Sequence, residues 1–289
     1  MRTRLPLLAA VAAGAFLYVP VVASIGRQWV EDTTTAHGIL LAGAAAVVLY
    51  RKLPVLRRQT IHPDSAGVWL VMLGLGIFLL GTLGAEVFVQ RFSLPFVALG
   101  CTAALAGRQQ ARLLLGAFAL LLLAIPLPAV VVTSMTLPLQ LLASRLAETL
   151  LVAGNIPVMR DGNLLRLDNA AIDVAEACSG LRSAISLISV GAVCTVLMRL
   201  TPGRAATLIS LAIPIAIVGN GARVAATGYM TQWIGAWTAR GLVHDLTGYA
   251  AFAAMLATTV AVLRLTRPSQ SKPQDPSRSK PSDPMPARA

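Results

Sequence analysis

Charge is scarce in this 289-residue chain. Only 12% of its residues are charged, about half of the ~25% usual in soluble domains. Aromatic residues reach 5% and cysteines number three, too few to staple a chain of this length, so a disulfide scaffold is excluded. The three histidines are far apart and no H-E-x-x-H spacing occurs, so no metal site is expected. No glycine-rich phosphate loop is present, which argues against nucleotide use, and no cofactor is implied. No internal repeat is visible. What abounds is apolar: 56% of residues are hydrophobic and the mean hydropathy is +0.72. That composition excludes a soluble globule and whole-chain disorder. It leaves an all-α, polytopic helical bundle in a lipid bilayer. The net charge of +12 comes in small basic groups between apolar runs. Such groups set topology and do not point to nucleic acid.

Eight apolar runs are candidates to span the membrane: 5–25, 38–50, 67–88, 93–107, 113–134, 179–198, 205–222 and 246–263. The second and fourth are short for the roughly 17–25 residues a span needs. The first follows Arg2 and Arg4 as a signal peptide would, but no A-x-A site closes it, so it reads as a retained span. Between the fifth and sixth runs, LPLQLLASRLAETLLVAG sets Gln140, Arg145 and Glu148 among leucines, the pattern of an interfacial amphipathic helix. Asp161-Gly162 then predicts a hairpin turn between short strands at Ile156–Arg160 and Leu164–Leu167. The expected organisation is a transmembrane domain over 1–267, with a polar region at 137–177, and a tail over 268–289. The tail holds six prolines and five serines, and is expected to be disordered.

Placing both termini in the cytoplasm puts 16 basic residues inside and eight outside. The two-to-one bias predicts that orientation, as eight spans require, with 137–177 outside. Cys178 then precedes the sixth span, Arg223 ends the seventh and His244 precedes the eighth. Each span has an inner arginine at its other end: Arg199, Arg204 and Arg264 lie 21, 19 and 20 residues away. At 1.5 Å per residue these are about 32, 28 and 30 Å, close to the ~30 Å hydrocarbon thickness. The three residues should therefore share one depth, although sequence alone does not make their helices neighbours. Their chemistry is coherent. A thiol becomes nucleophilic near a cation, an imidazole or a helix N-terminus. His244 can move its proton, and Arg223 can hold an oxyanion or a carboxylate. Each also has a bland reading: a packing cysteine, a snorkelling arginine, an interfacial histidine. Cys101 and Cys194 fall inside spans and read as packing residues. Cys178, by contrast, is an external thiol with no external partner.

With these motifs, the chain resembles the exosortase/archaeosortase family of membrane cysteine transpeptidases. The resemblance rests on DVAEACSGLRS at Asp173–Ser183, NGAR at Asn220–Arg223 and HDLTG at His244–Gly248. A weaker match, W-x-x-D-x-x-x-x-H-G, covers Trp29, Asp32, His37 and Gly38, and IPLP stands at Ile125–Pro128. The resemblance implies catalytic Cys178, Arg223 and His244. Glu176, Ser179, Gly180, Arg182, Asn220 and Asp245 would support the site or contact substrate. Asp32 and His37 either reach the site or anchor the second span. The implied partners are exported proteins ending in a short motif such as Pro-Glu-Pro, an apolar helix and a basic cluster. Cleavage outside the membrane would release that anchor and pass the chain to another nucleophile. The implied location is the inner membrane of a Gram-negative bacterium, with the site on the periplasmic face. The alternatives are a polysaccharide export component and a non-catalytic scaffold of the same fold. An export component would need ionisable groups near mid-membrane, and the spans offer almost none.

The orientation is testable directly. A reporter fused at Gln270 should report the cytoplasm and one at Asn163 the opposite compartment. A cytoplasmic signal from the Asn163 fusion would place the candidate residues on the wrong side for acting on exported proteins.

Overall fold

The computed structural model describes residues 4–168, 170–174 and 180–266. In chain order the helices are α1 (Arg4–Glu31), α2 (His37–Arg58), α3 (Ala66–Leu83), α4 (Val87–Leu105), α5 (Arg108–Leu123) and α6 (Ala129–Ala153). Three strands follow: β1 (Val158–Asp161), β2 (Leu164–Leu167) and β3 (Ala171–Asp173). Then come α7 (Leu181–Leu197), α8 (Pro202–Trp233), a single 3-10 turn at Ala236–Ala239, and α9 (Gly241–Leu265). Among the described residues six helices are long and apolar enough to cross a membrane: α2, α3, α4, α6, α8 and α9. The apolar α7 is shorter, at 17 residues. The chain is a multi-pass membrane protein built as a polytopic helical bundle.

The expected fifth span over 113–134 is two helices. Pro126 and Pro128 lack an amide proton, and each disfavours helical backbone at the residue before it. So α5 stops at Leu123 and α6 starts at Ala129. The segment 137–154, expected as a separate interfacial helix, is largely the continuation of α6. That helix lies against the C-terminal half of α8, where Gly221 faces Leu146 and Gly228 faces Leu151. The break leaves the Ala124 carbonyl without its ordinary helical donor, since residue 128 is a proline. Trp29 Nε1 donates to it at 2.9 Å, and Gly38 gives the indole room, because a Cβ there would collide with the ring. Trp29, Gly38 and the IPLP break are thus one joint that ties the α1–α2 turn to the end of α5.

The hairpin forms with a one-residue shift. Asp161 pairs with Leu164, so the two turn residues are Gly162 and Asn163. The left-handed φ of 62° falls on Gly162, where a two-residue turn needs glycine. A third strand, not foreseen, adds antiparallel to β2. One face of this sheet is buried. Leu165, Leu167, Ile172 and Val174 pack on Ala143, Ala147 and Leu151 of α6 and on Val224 and Ala225 of α8. Fully burying a leucine such as Leu165 contributes about 1.5–3 kcal/mol.

The last three helices pack on one another. Ala184 and Leu187 of α7, Ala212 and Ala216 of α8, and Met255 of α9 form one buried cluster. The neighbours that the sequence left open are therefore α7, α8 and α9.

The tightest helix pair is α3 with α4. Gly67, Gly74 and Gly81, spaced by sevens, are all buried on the α4 side. Small residues in such a stripe let two backbones approach within a membrane, where packing rather than the hydrophobic effect drives association. A Cβ at Gly67 would collide with the Ala104 amide, whereas one at Gly76, on the same helix, meets nothing within 4 Å. Gly67→Ala should therefore cost about 1–3 kcal/mol through overpacking and lower the thermal midpoint of the purified protein. Gly76→Ala should be neutral or slightly stabilising, since alanine favours helix. Equal midpoints for the two variants would show that this stripe does not set the α3–α4 spacing.

Candidate active site

Arg223 sits on α8 and His244 in the first turn of α9. Their side chains meet, with Arg223 Nη2 3.3 Å from His244 Nε2 across 21 residues of sequence. A guanidinium has only donors, so Nε2 is the acceptor and the imidazole proton sits on Nδ1. Nδ1 in turn lies 3.5 Å from an oxygen of the exposed Asp245. Thr247 donates from its hydroxyl to the His244 carbonyl at 2.7 Å, which steadies that first turn. The guanidinium lies against the bare backbone of Gly248, where a Cβ would stand 3.0 Å from Nη2 and 3.2 Å from Cζ. Gly248 follows His244 by four residues and so shares its helix face. The H-x-x-x-G spacing of HDLTG was legible, but only the fold shows that the glycine clears space for an arginine from another helix.

Arg223 and His244 line a small cavity of about 50 Å³ with Ile172, Asp173, Val174, Val224, Thr227 and Ala239. The sheet therefore reaches the site. Asn163 holds its last residues: Val174 N donates to the Asn163 carbonyl at 3.0 Å. Asn163 Nδ2 donates to Asp173 Oδ1 at 2.8 Å.

After Val174 the described chain resumes at Gly180, so Glu176, Cys178 and Ser179 lie outside the described residues. Gly180 precedes α7 with a left-handed φ of 84°. A Cβ on it would stand 3.0 Å from Asn220 Cβ and 3.1 Å from Asn220 Nδ2. Asn220 is buried at 2% exposure and lies one helical turn before Arg223. The N-x-x-R motif thus puts its asparagine under the start of α7 and its arginine against His244.

The other expected residues gather in a second cavity. Asp32, His37 and Arg182 line a cleft of about 620 Å³ with Gln28, Thr34, Thr35, Leu181 and the first two turns of α6. Asp32 Oδ1 accepts from the Thr34 amide at 2.8 Å and from its hydroxyl. His37 Nδ1 lies 3.1 Å from the Thr34 carbonyl. The structure does not bring Asp32 or His37 into contact with Arg223 or His244. The described chain enters the gap at Val174, in the small cavity, and leaves it at Gly180, next to Leu181 and Arg182 of the large one. Cys101 and Cys194 sit within helices α4 and α7 as free, partly buried thiols. Among the described residues no group of three or more His, Cys, Asp or Glu could hold a metal ion.

A family model described as transmembrane exosortase matches residues 29–261. The match begins at Trp29 of the α1–α2 joint and ends within α9, so every residue lining the two cavities except Gln28 falls inside it. No curated protein and no solved structure matches the chain.

The seat of Gly180 can be tested by stability. Gly162 and Gly180 both have left-handed φ, but only Gly180 has a neighbour that a Cβ would crowd. Each glycine-to-alanine change pays about 1 kcal/mol or more for the backbone, and Gly180→Ala pays in addition for pressing on Asn220. Gly180→Ala should therefore unfold at a lower temperature than Gly162→Ala. Identical midpoints would mean that Asn220 yields freely and does not fix the start of α7.

Proposed function

The chain belongs to the transmembrane exosortase family, and we propose that it is a membrane cysteine transpeptidase acting through Cys178. Its substrates are exported proteins ending in a short sorting motif, an apolar helix and a basic cluster. The observation that carries this reading is the contact of Arg223 with His244 under Gly248, at the cavity also lined by Ile172, Asp173 and Val174. Cys178 is two residues before Gly180, so covalent geometry keeps their Cα atoms within about 7 Å. The charge bias supports an orientation with this end of the bundle outside the cytoplasm, on the periplasmic face of a bacterial inner membrane.

The chemistry follows from the pair. In its hydrogen bond with Arg223, His244 offers the Nε2 lone pair to the guanidinium. When the thiol of Cys178 approaches, Nε2 takes its proton, and Arg223 is released toward the growing negative charge. Sulfur attacks the scissile carbonyl carbon, and the carbonyl oxygen becomes an oxyanion that the guanidinium stabilises. Collapse breaks the C–N bond. The departing amine, which carries the membrane anchor, takes the proton from His244, and a thioester remains. A second nucleophile then cleaves the C–S bond and restores the thiolate.

Three variants test this on anchor release from a tagged substrate at matched expression. Arg223→Lys should lose about 10²–10³-fold, because an ammonium lacks the fork that serves sulfur, oxyanion and imidazole in turn. His244→Ala should lose about 10²–10⁴-fold yet keep a slow residual reaction. Gly248→Ala should fold normally, since the atom it displaces is the end of a flexible side chain, but process up to ~10²-fold more slowly. Processing by Arg223→Lys at the wild-type rate would sink the oxyanion role and leave Arg223 as a snorkelling residue.

A further inference from the structure

We propose that the large cleft is the site where the acyl acceptor binds, and that His37 is the general base that activates it. The acceptor is a protic nucleophile, an amine or hydroxyl compound. This inference rests on the thioester reading above and assigns its second step.

The geometry of the α1–α2 turn carries the proposal. Asp32 closes the turn by accepting from both the amide and the hydroxyl of Thr34. This fixes the Thr34 carbonyl, which lies 3.1 Å from His37 Nδ1. A carbonyl only accepts, so Nδ1 carries the proton and Nε2 keeps the lone pair. Among the described residues Nε2 has no hydrogen-bond partner. The turn itself is rigidly seated, because Thr35 donates to the Gln28 carbonyl at 2.9 Å and Gly38 packs on Trp29. Asp32 and Thr34 are thus positioning residues that lock one tautomer of an imidazole lining an open cleft. A side chain needed only to anchor α2 would not need that cleft.

The cleft suits an acceptor. At about 620 Å³ it is far larger than the cavity holding Arg223 and His244, at about 50 Å³. Gln28, Thr34, Thr133, Thr136 and Arg182 offer donors and acceptors to a polar molecule, beside apolar Leu127 and Ile185. It also reaches Leu181 and Arg182, the first residues of the helix that follows the nucleophile's segment. Once the amine has left with its proton, His244 returns to its hydrogen bond with Arg223. Dividing the work between two histidines gives each proton transfer its own group. In the step proposed here the acceptor's lone pair forms a bond to the thioester carbon. Its proton passes to His37 Nε2, the C–S bond breaks, and its electron pair leaves with sulfur as thiolate. His37 then gives its proton to water.

The test separates the two steps in membranes holding the full chain and a tagged substrate, with hydroxylamine as probe. Hydroxylamine attacks thioesters without a base. His37→Gln keeps a donor for the Thr34 carbonyl but has no base. It should release anchor in a first turnover and then clear the enzyme-bound chain about 10²–10⁴-fold more slowly than wild type. The trapped adduct should fall to free product on adding hydroxylamine. If His37→Gln does not accumulate in the membrane, His37→Asn is read in the same way. Clearance at the wild-type rate overturns the proposal. So does loss of anchor release and adduct together while Cys178 still alkylates as in wild type, since that marks a structural role for His37. Anchor release by Cys178→Ala would instead refute the thioester reading itself, a distinct failure.

Discussion

The contact between Arg223 and His244 is the constraint on which the rest of the site depends. Two side chains from different helices meet at 3.3 Å only where those helices pack closely. The α8–α9 interface supplies that. A Cβ on Gly219 would collide with Met255, and a Cβ on Gly248 would press on the guanidinium. Along α8 the stripe runs Ala212, Ala216, Gly219 and Arg223. Along α9 it runs His244, Gly248, Phe252 and Met255. Both advance by three or four residues, the spacing of one helix face. The Arg223–His244 pair is therefore the last layer of a packed seam. Its positions are fixed by the same small residues that bury Met255 to 4% exposure and Ala216 to 0%. A site built on such a seam needs few side-chain hydrogen bonds to hold its geometry, because the backbones cannot move apart without opening the core.

Span-length arithmetic expected Cys178, Arg223 and His244 at one depth; of these, Arg223 and His244 meet, while Cys178 lies outside the described residues. What the arithmetic could not supply was adjacency. That depends on which faces are small enough to touch, and it emerges only when Ala184, Ala212, Ala216 and Met255 are packed together. The misplaced helix break has a plain cause as well. Hydropathy averages over a window and sees 113–134 as one apolar run, while two prolines decide where the hydrogen-bond ladder stops. The extension of α8 to Trp233 was hidden for the opposite reason. Beyond Arg223 its residues bury only one side, with Val224 and Ala225 inward and Trp233 72% exposed. A strand of three residues such as β3 carries no period to read.

The N-terminal motif combines a packing joint with an oriented imidazole on one short turn. Trp29 and Gly38 satisfy a carbonyl that a proline left open, which accounts for those two residues without reference to any reaction. Asp32, Thr34 and His37 lie between them on the same turn. Their hydrogen bonds face the cleft rather than the joint. The joint thus holds the turn still, and the turn presents an oriented imidazole.

The small sheet locates this whole assembly relative to the hydrocarbon. It has three strands in the order β1-β2-β3, so β1 and β3 each leave one edge of amides and carbonyls to find partners elsewhere. Within lipid such edges cost several kcal/mol per unsatisfied group, and open sheets do not occur there. The sheet must lie where water reaches its edges. It packs on Val224 and Ala225, the residues directly after Arg223, and its last residues line the cavity of Arg223 and His244. The pair therefore stands at the boundary between apolar bundle and aqueous cap. This conclusion needs no count of loop charges. Helix α8, at 32 residues or about 48 Å with 1.5 Å per residue, is longer than the ~30 Å hydrocarbon thickness, and the sheet packs on Val224 and Ala225 in its C-terminal half.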